Sequence, residues 1–304
     1  MFKAFASGAI FVTLLWVSPS SSHESVNVQI SALGAKIQKD PKNPSLYLER
    51  ADLQRREKHY AEALRDLDRA QKLAPERKDI VLERGLTLAA KGDTEEAEKL
   101  LSKYLAMGTP SAKAFVARGK IRESALRYAD ARSDYAAAVA LEPQPDSFLA
   151  RGRMDEALGH WDDAVRGYEE GLRMLSGAVV LRLALVRVEQ KQGHYERVIA
   201  VIDEILPKLP LKADWLLLRA DAHEGAGRTA EARKDREAAL READERIAVR
   251  PTDYAAIARV KALRALGRRE EALREIEIVV QHAPKLDEAR TLRDEIRAAM
   301  AGKR

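Results

Sequence analysis

The sequence predicts an all-α solenoid in which pairs of amphipathic helices stack side by side. Seven related segments follow one another with a period of about 34 residues, a length typical of stacked supersecondary units. Each segment carries two runs with helix-face spacing. The composition, with 33% charged and 5% aromatic residues, also favours helix over strand.

The seven segments share a turn sequence, seen in "ALGHWDDAV" from Ala157, "KQGHYERVI" from Lys191 and "REKHYAEAL" from Arg56. The other four copies of the turn begin at Ala90, Ser124, Gly225 and Ala265, and only the last interval is clearly longer than the rest. The residue after the glycine varies between His, Asp and Arg. We therefore interpret His59, His160 and His194 as exposed turn residues and predict no metal site there.

The first helix of a segment carries a large residue, followed four positions later by a small one that lets the partner helix approach. These pairs are Val81 and Gly85, Phe115 and Gly119, Phe148 and Gly152, and Leu216 and Ala220. The second helix has alanine at the expected crossing point, at Ala63, Ala97, Ala131, Ala164, Ala232 and Ala272. Prolines mark where second helices should end, because proline cannot continue a helix: Pro75, Pro143, Pro210, Pro251 and Pro284.

In these features the sequence resembles the tetratricopeptide repeat (TPR) family, from about Pro44 to Leu286. The resemblance implies a right-handed α-solenoid of about seven helix-turn-helix repeats with N- and C-terminal capping helices. The predicted repeats are 44–77, 78–111, 112–144, 145–178, 179–212, 213–252 and 253–286. Residues 23–43 form the predicted N-terminal cap, and residues 287–304 the C-terminal cap and tail.

The N-terminus has the order of a secretory signal. One lysine precedes the uncharged stretch "AFASGAIFVTLLWV", and small residues follow it. Fourteen residues are short for a membrane span. We predict a signal peptide over residues 1–22 and an exported protein, periplasmic or secreted, with a bacterial periplasm expected. The segment is either cleaved or retained as an anchor.

Composition and motifs argue against several classes of function. The net charge of +5 arises from 53 basic and 48 acidic residues that are interspersed, which does not favour nucleic-acid binding. The chain has no cysteine, so disulfides and cysteine-based chemistry are excluded. Phosphate loops, serine–histidine–aspartate sets and metal-ligand spacings are missing. We predict no enzymatic activity, no cofactor and no metal.

An arginine recurs in the first helices where the family usually has an apolar residue, at Arg50, Arg84, Arg118, Arg151, Arg219 and Arg259. Because an unpaired buried charge is costly, each needs a partner. Four have a carboxylate at one constant spacing further along the chain, in the second helix. This spacing predicts the ion pairs Arg50–Asp66, Arg118–Asp134, Arg219–Asp235 and Arg259–Glu275. Arg84 and Arg151 lack such a carboxylate and must pair elsewhere.

The sixth repeat is longer than the others by about seven residues. Its second helical pattern runs without a break from Glu231 to Arg250. We expect this helix to project beyond its neighbours or to bend near its end. The extension is either a shelf for a partner or a tolerated insertion.

The resemblance implies that the first helices line a concave groove that binds peptides or partner domains. By position, Lys120, Arg153 and Arg187 would form a basic row in that groove, suited to an acidic segment or a C-terminal carboxylate. Alternatively, Glu123 and Glu156 neutralise Lys120 and Arg153 locally. Chaperone-binding members of the family hold carboxylates with a specific set of residues. At the equivalent positions this sequence has other residue types.

The predicted function is a non-catalytic scaffold of the cell envelope that binds other proteins. Two alternatives remain open. The chain is either a regulatory or assembly subunit of an envelope enzyme or secretion complex, or a structural subunit that associates with itself.

Overall fold

The computed structural model describes residues 21–302, with side-chain burial from Val26 onward. Within this range the protein forms sixteen α-helices and one short 3-10 helix, without a β-strand. The predicted all-α class is therefore confirmed. The predicted signal segment, apart from its last two residues, lies outside the described range.

One helix precedes seven helix pairs and one follows them. They are α1 (Ser21–Lys39); α2 (Pro44–Arg56) and α3 (Tyr60–Leu73); α4 (Lys78–Lys91) and α5 (Thr94–Ala106); α6 (Ala112–Ser124) and α7 (Tyr128–Leu141); α8 (Pro145–Ala157) and α9 (Trp161–Met174); α10 (Val179–Lys191) and α11 (Tyr195–Ile205); α12 (Ala213–Gly225) and α13 (Thr229–Val249); α14 (Asp253–Ala265) and α15 (Arg269–His282); and α16 (Asp287–Ala301). The 3-10 helix Leu206–Lys208 follows α11. Each predicted repeat interval contains one pair.

Of the helices in the described part of the chain, none is both long and apolar enough to cross a membrane.

The chain divides into two compact units, Met1–Glu142 and Pro143–Arg304, here called unit 1 and unit 2. In each unit, the two helices of a repeat pack together and the second helix packs on the first helix of the next repeat, as α3 does on α4 and α9 on α10. First helices of successive repeats also touch, as α2 does α4 and α8 does α10. The first helices in each unit therefore lie side by side.

Small residues permit the close approach of paired helices. The six alanines predicted at the crossings are fully buried. A Cβ atom added to Gly85 would lie 3.0 Å from Leu101, and one added to Gly152 would overlap the ring of Tyr168. In both cases the large side chain belongs to the second helix of the same repeat. The predicted large–small pairs thus act through a third residue in the facing helix.

The turn between paired helices requires a left-handed residue. Five repeats place glycine there, with φ between 75° and 101°: Gly92, Gly159, Gly193, Gly227 and Gly267. The other two place Lys58 (φ 65°) and Leu126 (φ 59°) at the same position. His59, His160 and His194 follow this residue and stand at the N-termini of α3, α9 and α11. All three are exposed.

Apolar clusters run along each unit instead of forming a single centre. In unit 1, one cluster joins α1 to α4 and includes Ile37 and Leu67. In unit 2, a cluster around Ile276 joins α14, α15 and the last helix, whose Leu292 and Ile296 are buried in it. The terminal helices therefore cover the apolar faces of the repeats beside them, as capping helices do.

Candidate partner-binding groove

The structure brings the four predicted arginine–carboxylate pairs together. Arg50 donates from Nε and Nη2 to the two carboxylate oxygens of Asp66, at 2.7 and 2.6 Å. Arg118 does the same to Asp134, at 3.0 and 2.6 Å, and the Asp134 side chain is only 3% exposed. Such forked contacts fix the geometry as well as balance the charge. These arginines join the two helices of a repeat.

The remaining two predicted pairs are also in place. Arg219 donates to both oxygens of Asp235, at 2.8 and 2.7 Å. Arg259 contacts Glu275. Arg219 in addition reaches Asp203, at 2.5 Å, in the second helix of the preceding repeat.

Arg84 and Arg151, which lack a carboxylate at the predicted spacing, find partners elsewhere. Arg84 donates to Asp68, in the second helix of the preceding repeat, at 2.7 Å. Arg151 donates to Glu170 at 2.6 Å. A first helix lies between the second helix of its own repeat and that of the preceding repeat, so an arginine on it can reach a carboxylate in either. The spacing from Asp68 to Arg84 equals the spacing from Arg50 to Asp66. The same spacing, applied upstream of Arg84, would have found Asp68.

The three residues of the predicted basic row lie in two different units. Lys120 is in unit 1 and is exposed, and its ammonium group makes no ion pair or hydrogen bond in the part of the chain that is described. Arg153 and Arg187 are in unit 2 and are also exposed. Arg187 donates to Glu156 at 2.8 Å, and Glu156 also accepts the hydroxyl of Tyr168 at 2.6 Å. Of the three, Lys120 thus has the most available charge.

Lys120 lies on a groove of about 530 Å³ between the first helices of the first three repeats, which we call the unit-1 groove. Its floor is apolar and comes from α4 and α6: Leu86, Ala89, Val116, Ala117 and Ile121. Its edge carries four cations: Arg55, Arg56, Lys113 and Lys120. Sequence reasoning missed Lys113, although a position seven residues before Lys120 lies on the same helix face.

The cations of the unit-1 groove are unequally neutralised. Arg55 and Arg56 both contact Asp52, and Arg55 lies 3.6 Å from Glu83. Burial raises the pKa of Glu83, against the opposing effect of the Arg55 guanidinium. Lys113, like Lys120, forms no ion pair with any residue from 21 to 302, although its charge acts on Glu83 and tends to lower the pKa of that carboxyl. The groove therefore offers two ammonium groups beside an apolar floor.

One group of possible metal ligands occurs among the described residues, formed by Asp155, His160 and Asp163, whose ligand atoms lie within 4.8 Å of one another. Asp163 is also ion-paired with Arg166. One repeat later, the equivalent residues are Glu189, His194 and Arg197, which form a hydrogen-bonded ion-pair network. In the fifth repeat these positions thus connect the end of α10 to the start of α11.

The family model described as tetratricopeptide repeat matches residues 48–112 and 183–246. No curated protein matches the chain.

Solved structures with the same fold include a tetratricopeptide repeat protein from Parabacteroides merdae, with 18% identity, a TM-score of 0.52, and 83% of this chain and 98% of that chain covered. Yeast Tom70 has 17% identity and a TM-score of 0.54 over 94% of this chain and 61% of its own. Pseudomonas aeruginosa pilF has 16% identity and a TM-score of 0.51 over 70% and 94%. This chain thus spans less than two thirds of the Tom70 chain.

Proposed function

We propose that this chain is a tetratricopeptide repeat protein, a proposal supported by the family model over residues 48–112 and 183–246 and by the fold it shares with solved structures. In this proposal it is a non-catalytic scaffold that holds a peptide segment of another protein in the unit-1 groove. Tetratricopeptide repeat proteins mediate protein–protein interactions. The observation that carries the proposal is the pairing of an apolar floor with two unpaired lysines at its edge. A groove of this composition fits a partner that offers both an apolar side chain and a carboxylate.

The partner we propose is an acidic segment or a free C-terminal carboxylate. Lys113 and Lys120 lie on one face of α6, two helical turns apart, or about 10 Å along the axis. That separation suits an extended segment carrying two negative charges. Val116 and Ala117 lie between the two lysines, so an apolar residue between the two charges would contact the floor.

The test is a double charge reversal, Lys113→Glu/Lys120→Glu, with Lys72→Glu/Lys103→Glu as the matched control. The control lysines are exposed on second helices of unit 1 and do not line the groove. Proteins recovered by affinity isolation from the native envelope should be lost with the groove variant and kept with the control. Equal recovery with both variants would show that the unit-1 groove is not the binding site.

We also propose that the protein is exported, on the strength of the charged, apolar and small-residue order of its N-terminus. The expected result is a protein in the envelope fraction whose N-terminal sequencing begins near His23. A chain that remains with the cytoplasmic fraction and retains its first residues would contradict export.

A further inference from the structure

The second helix of the sixth repeat differs from every other second helix in the described range. Helix α13 has 21 residues, whereas the others have 11 to 14. The additional seven residues extend it by about 10 Å. The long, unbroken second helix predicted for the sixth repeat is therefore present, and its additional turns form part of the surface beside it.

The end of α13 forms one wall of a cavity of about 730 Å³, which we call the overhang cavity. The segment between α11 and α12 forms the opposite wall, with Leu209 and Lys212, and the start of α14 closes one end with Ala255. A second helix of ordinary length would stop at about residue 242. The cavity therefore depends on the part of α13 that the other repeats lack.

The overhang cavity is lined by more positive than negative charge. Four cations and two carboxylates line it: Lys212, Arg241, Arg246, Arg250, Glu242 and Glu245. Arg246 lies 3.6 Å from Glu242 and is balanced by it. Lys212, Arg241 and Arg250 form no ion pair with another residue between 21 and 302. Of the charged residues that line the cavity, three cations and one carboxylate, Glu245, thus remain outside any ion pair.

Apolar surface accompanies this charge. Val249, the last residue of α13, lines the cavity and is 88% exposed, although valine is usually found inside proteins. Leu209 and Leu216 line the other side. A ligand that only balanced charge would leave these side chains in water.

We infer that the overhang cavity binds a second acidic peptide segment, one that places an apolar side chain against Val249 and carboxylates against Arg241 and Arg250. Guanidinium groups bind carboxylates through two parallel hydrogen bonds, which makes them selective for such a partner. A nucleic acid fits less well, because none of the lining residues is an aromatic on which a base could stack. This site is separate from the unit-1 groove and does not rest on it.

The absence of cysteine from the chain allows a local probe. We would label Val249→Cys with an environment-sensitive fluorophore in the full-length protein. The ligand would be a synthetic peptide of three Glu-Leu-Glu-Ala units, compared with one in which lysine replaces glutamate. The fluorescence should change saturably with the acidic peptide and not with the basic one.

Charge reversal tests the assigned residues. Arg241→Glu/Arg250→Glu should weaken binding of the acidic peptide by at least about tenfold, as expected for the loss of favourable charge pairs worth about 1.4 kcal/mol or more. The matched control, Lys234→Glu/Arg173→Glu, changes two exposed cations of unit 2 that do not line the cavity. It should bind within about twofold of the unchanged protein.

Lys113→Glu/Lys120→Glu should also leave the signal at position 249 unchanged, so failure of this site and failure of the unit-1 groove are distinguishable. Circular dichroism would check folding, and Arg241→Gln/Arg250→Gln would replace the reversal if it unfolds the protein. Undiminished binding by either cavity variant would overturn the proposal. So would the lack of any response to the acidic peptide, or equal competition by a single-stranded oligonucleotide of the same charge.

Discussion

At the scale of single residues, Gly152 has the least room for a side chain among the glycines of the described range. An added Cβ would overlap Cε1 and Cζ of Tyr168. The ring cannot move freely, because Tyr168 is buried and its hydroxyl donates to Glu156 at 2.6 Å. Burial, with that hydrogen bond, also raises the pKa of the Tyr168 phenol. The ring is therefore held against the glycine as a neutral donor.

Gly152→Ala should lower the free energy of unfolding by roughly 1–3 kcal/mol, the usual cost of overpacking. Urea unfolding of the full-length protein would measure it. Gly34→Ala, also inside a helix, is the matched control, because the nearest atom to a Cβ at Gly34 is Arg50 Nη1 at 3.6 Å, an ordinary contact. A similar small effect of both substitutions would show that the helices of this repeat can separate at little cost.

The partial burial of Glu83 makes the stability of the protein depend on pH. Its raised pKa means that the folded protein holds this proton more tightly than the unfolded chain does. Stability contributed by Glu83 therefore falls as the pH rises from the ordinary carboxyl value of 4.5 through the raised one. At neutral pH the ionised, partly buried carboxylate is therefore less favourable to folding than its protonated form would be.

Glu83→Gln should accordingly raise Tm at neutral pH, and the difference should vanish below about pH 4. Thermal unfolding followed by circular dichroism at both pH values would test this, with exposed Glu76→Gln as the control. A lower Tm for Glu83→Gln at neutral pH would mean that attraction to Arg55 outweighs the cost of burial.

At the scale of helices and turns, the turn between α6 and α7 contains a strained residue. Leu126 has φ of 59° and is 69% exposed, where five other repeats have glycine. A left-handed conformation costs a residue with a Cβ about 1–2 kcal/mol. Glycine avoids this cost but loses more backbone entropy on folding.

Leu126→Gly should therefore stabilise the protein by roughly 0.5–1 kcal/mol. Leu126→Ala removes the same exposed side chain but keeps the positive φ, so it should give little of this gain. Chemical unfolding of both variants separates the two effects. If alanine stabilised as much as glycine, the backbone would not be the cause.

The helices and most of their contacts could be predicted from the sequence because each repeat has the same arrangement of residues. The spacing between Arg50 and Asp66 recurs, so aligning the repeats once predicts all four ion pairs. The contact of Arg84 with Asp68 was missed because it joins two repeats, and pairing was sought only within one. The groove cations on α2 were missed because Arg55 and Arg56 lie at a helix end, where the repeat pattern is weak.

At the scale of the whole molecule, a repeat protein distributes its stability along the chain, because each repeat contacts only its neighbours. The Arg50–Asp66 pair tests this distribution. Asp66 is buried, with a side chain 9% exposed, and Arg50 donates to both of its carboxylate oxygens. Arg50→Met would leave this carboxylate without that partner, a loss that costs about 3 kcal/mol in buried pairs.

If stability is local, Arg50→Met should speed amide hydrogen exchange in α2, α3 and the helices they touch, α1 and α4, while α14–α16 exchange as before. Arg259→Met removes the partner of Glu275 and Asp244 in unit 2. This variant should speed exchange in α14–α16 and leave α1–α4 unchanged. Exchange resolved by mass spectrometry would locate both effects. Equal acceleration along the whole chain in either variant would mean that the repeats unfold as one cooperative body, and a change confined to one repeat could then alter binding anywhere in the protein.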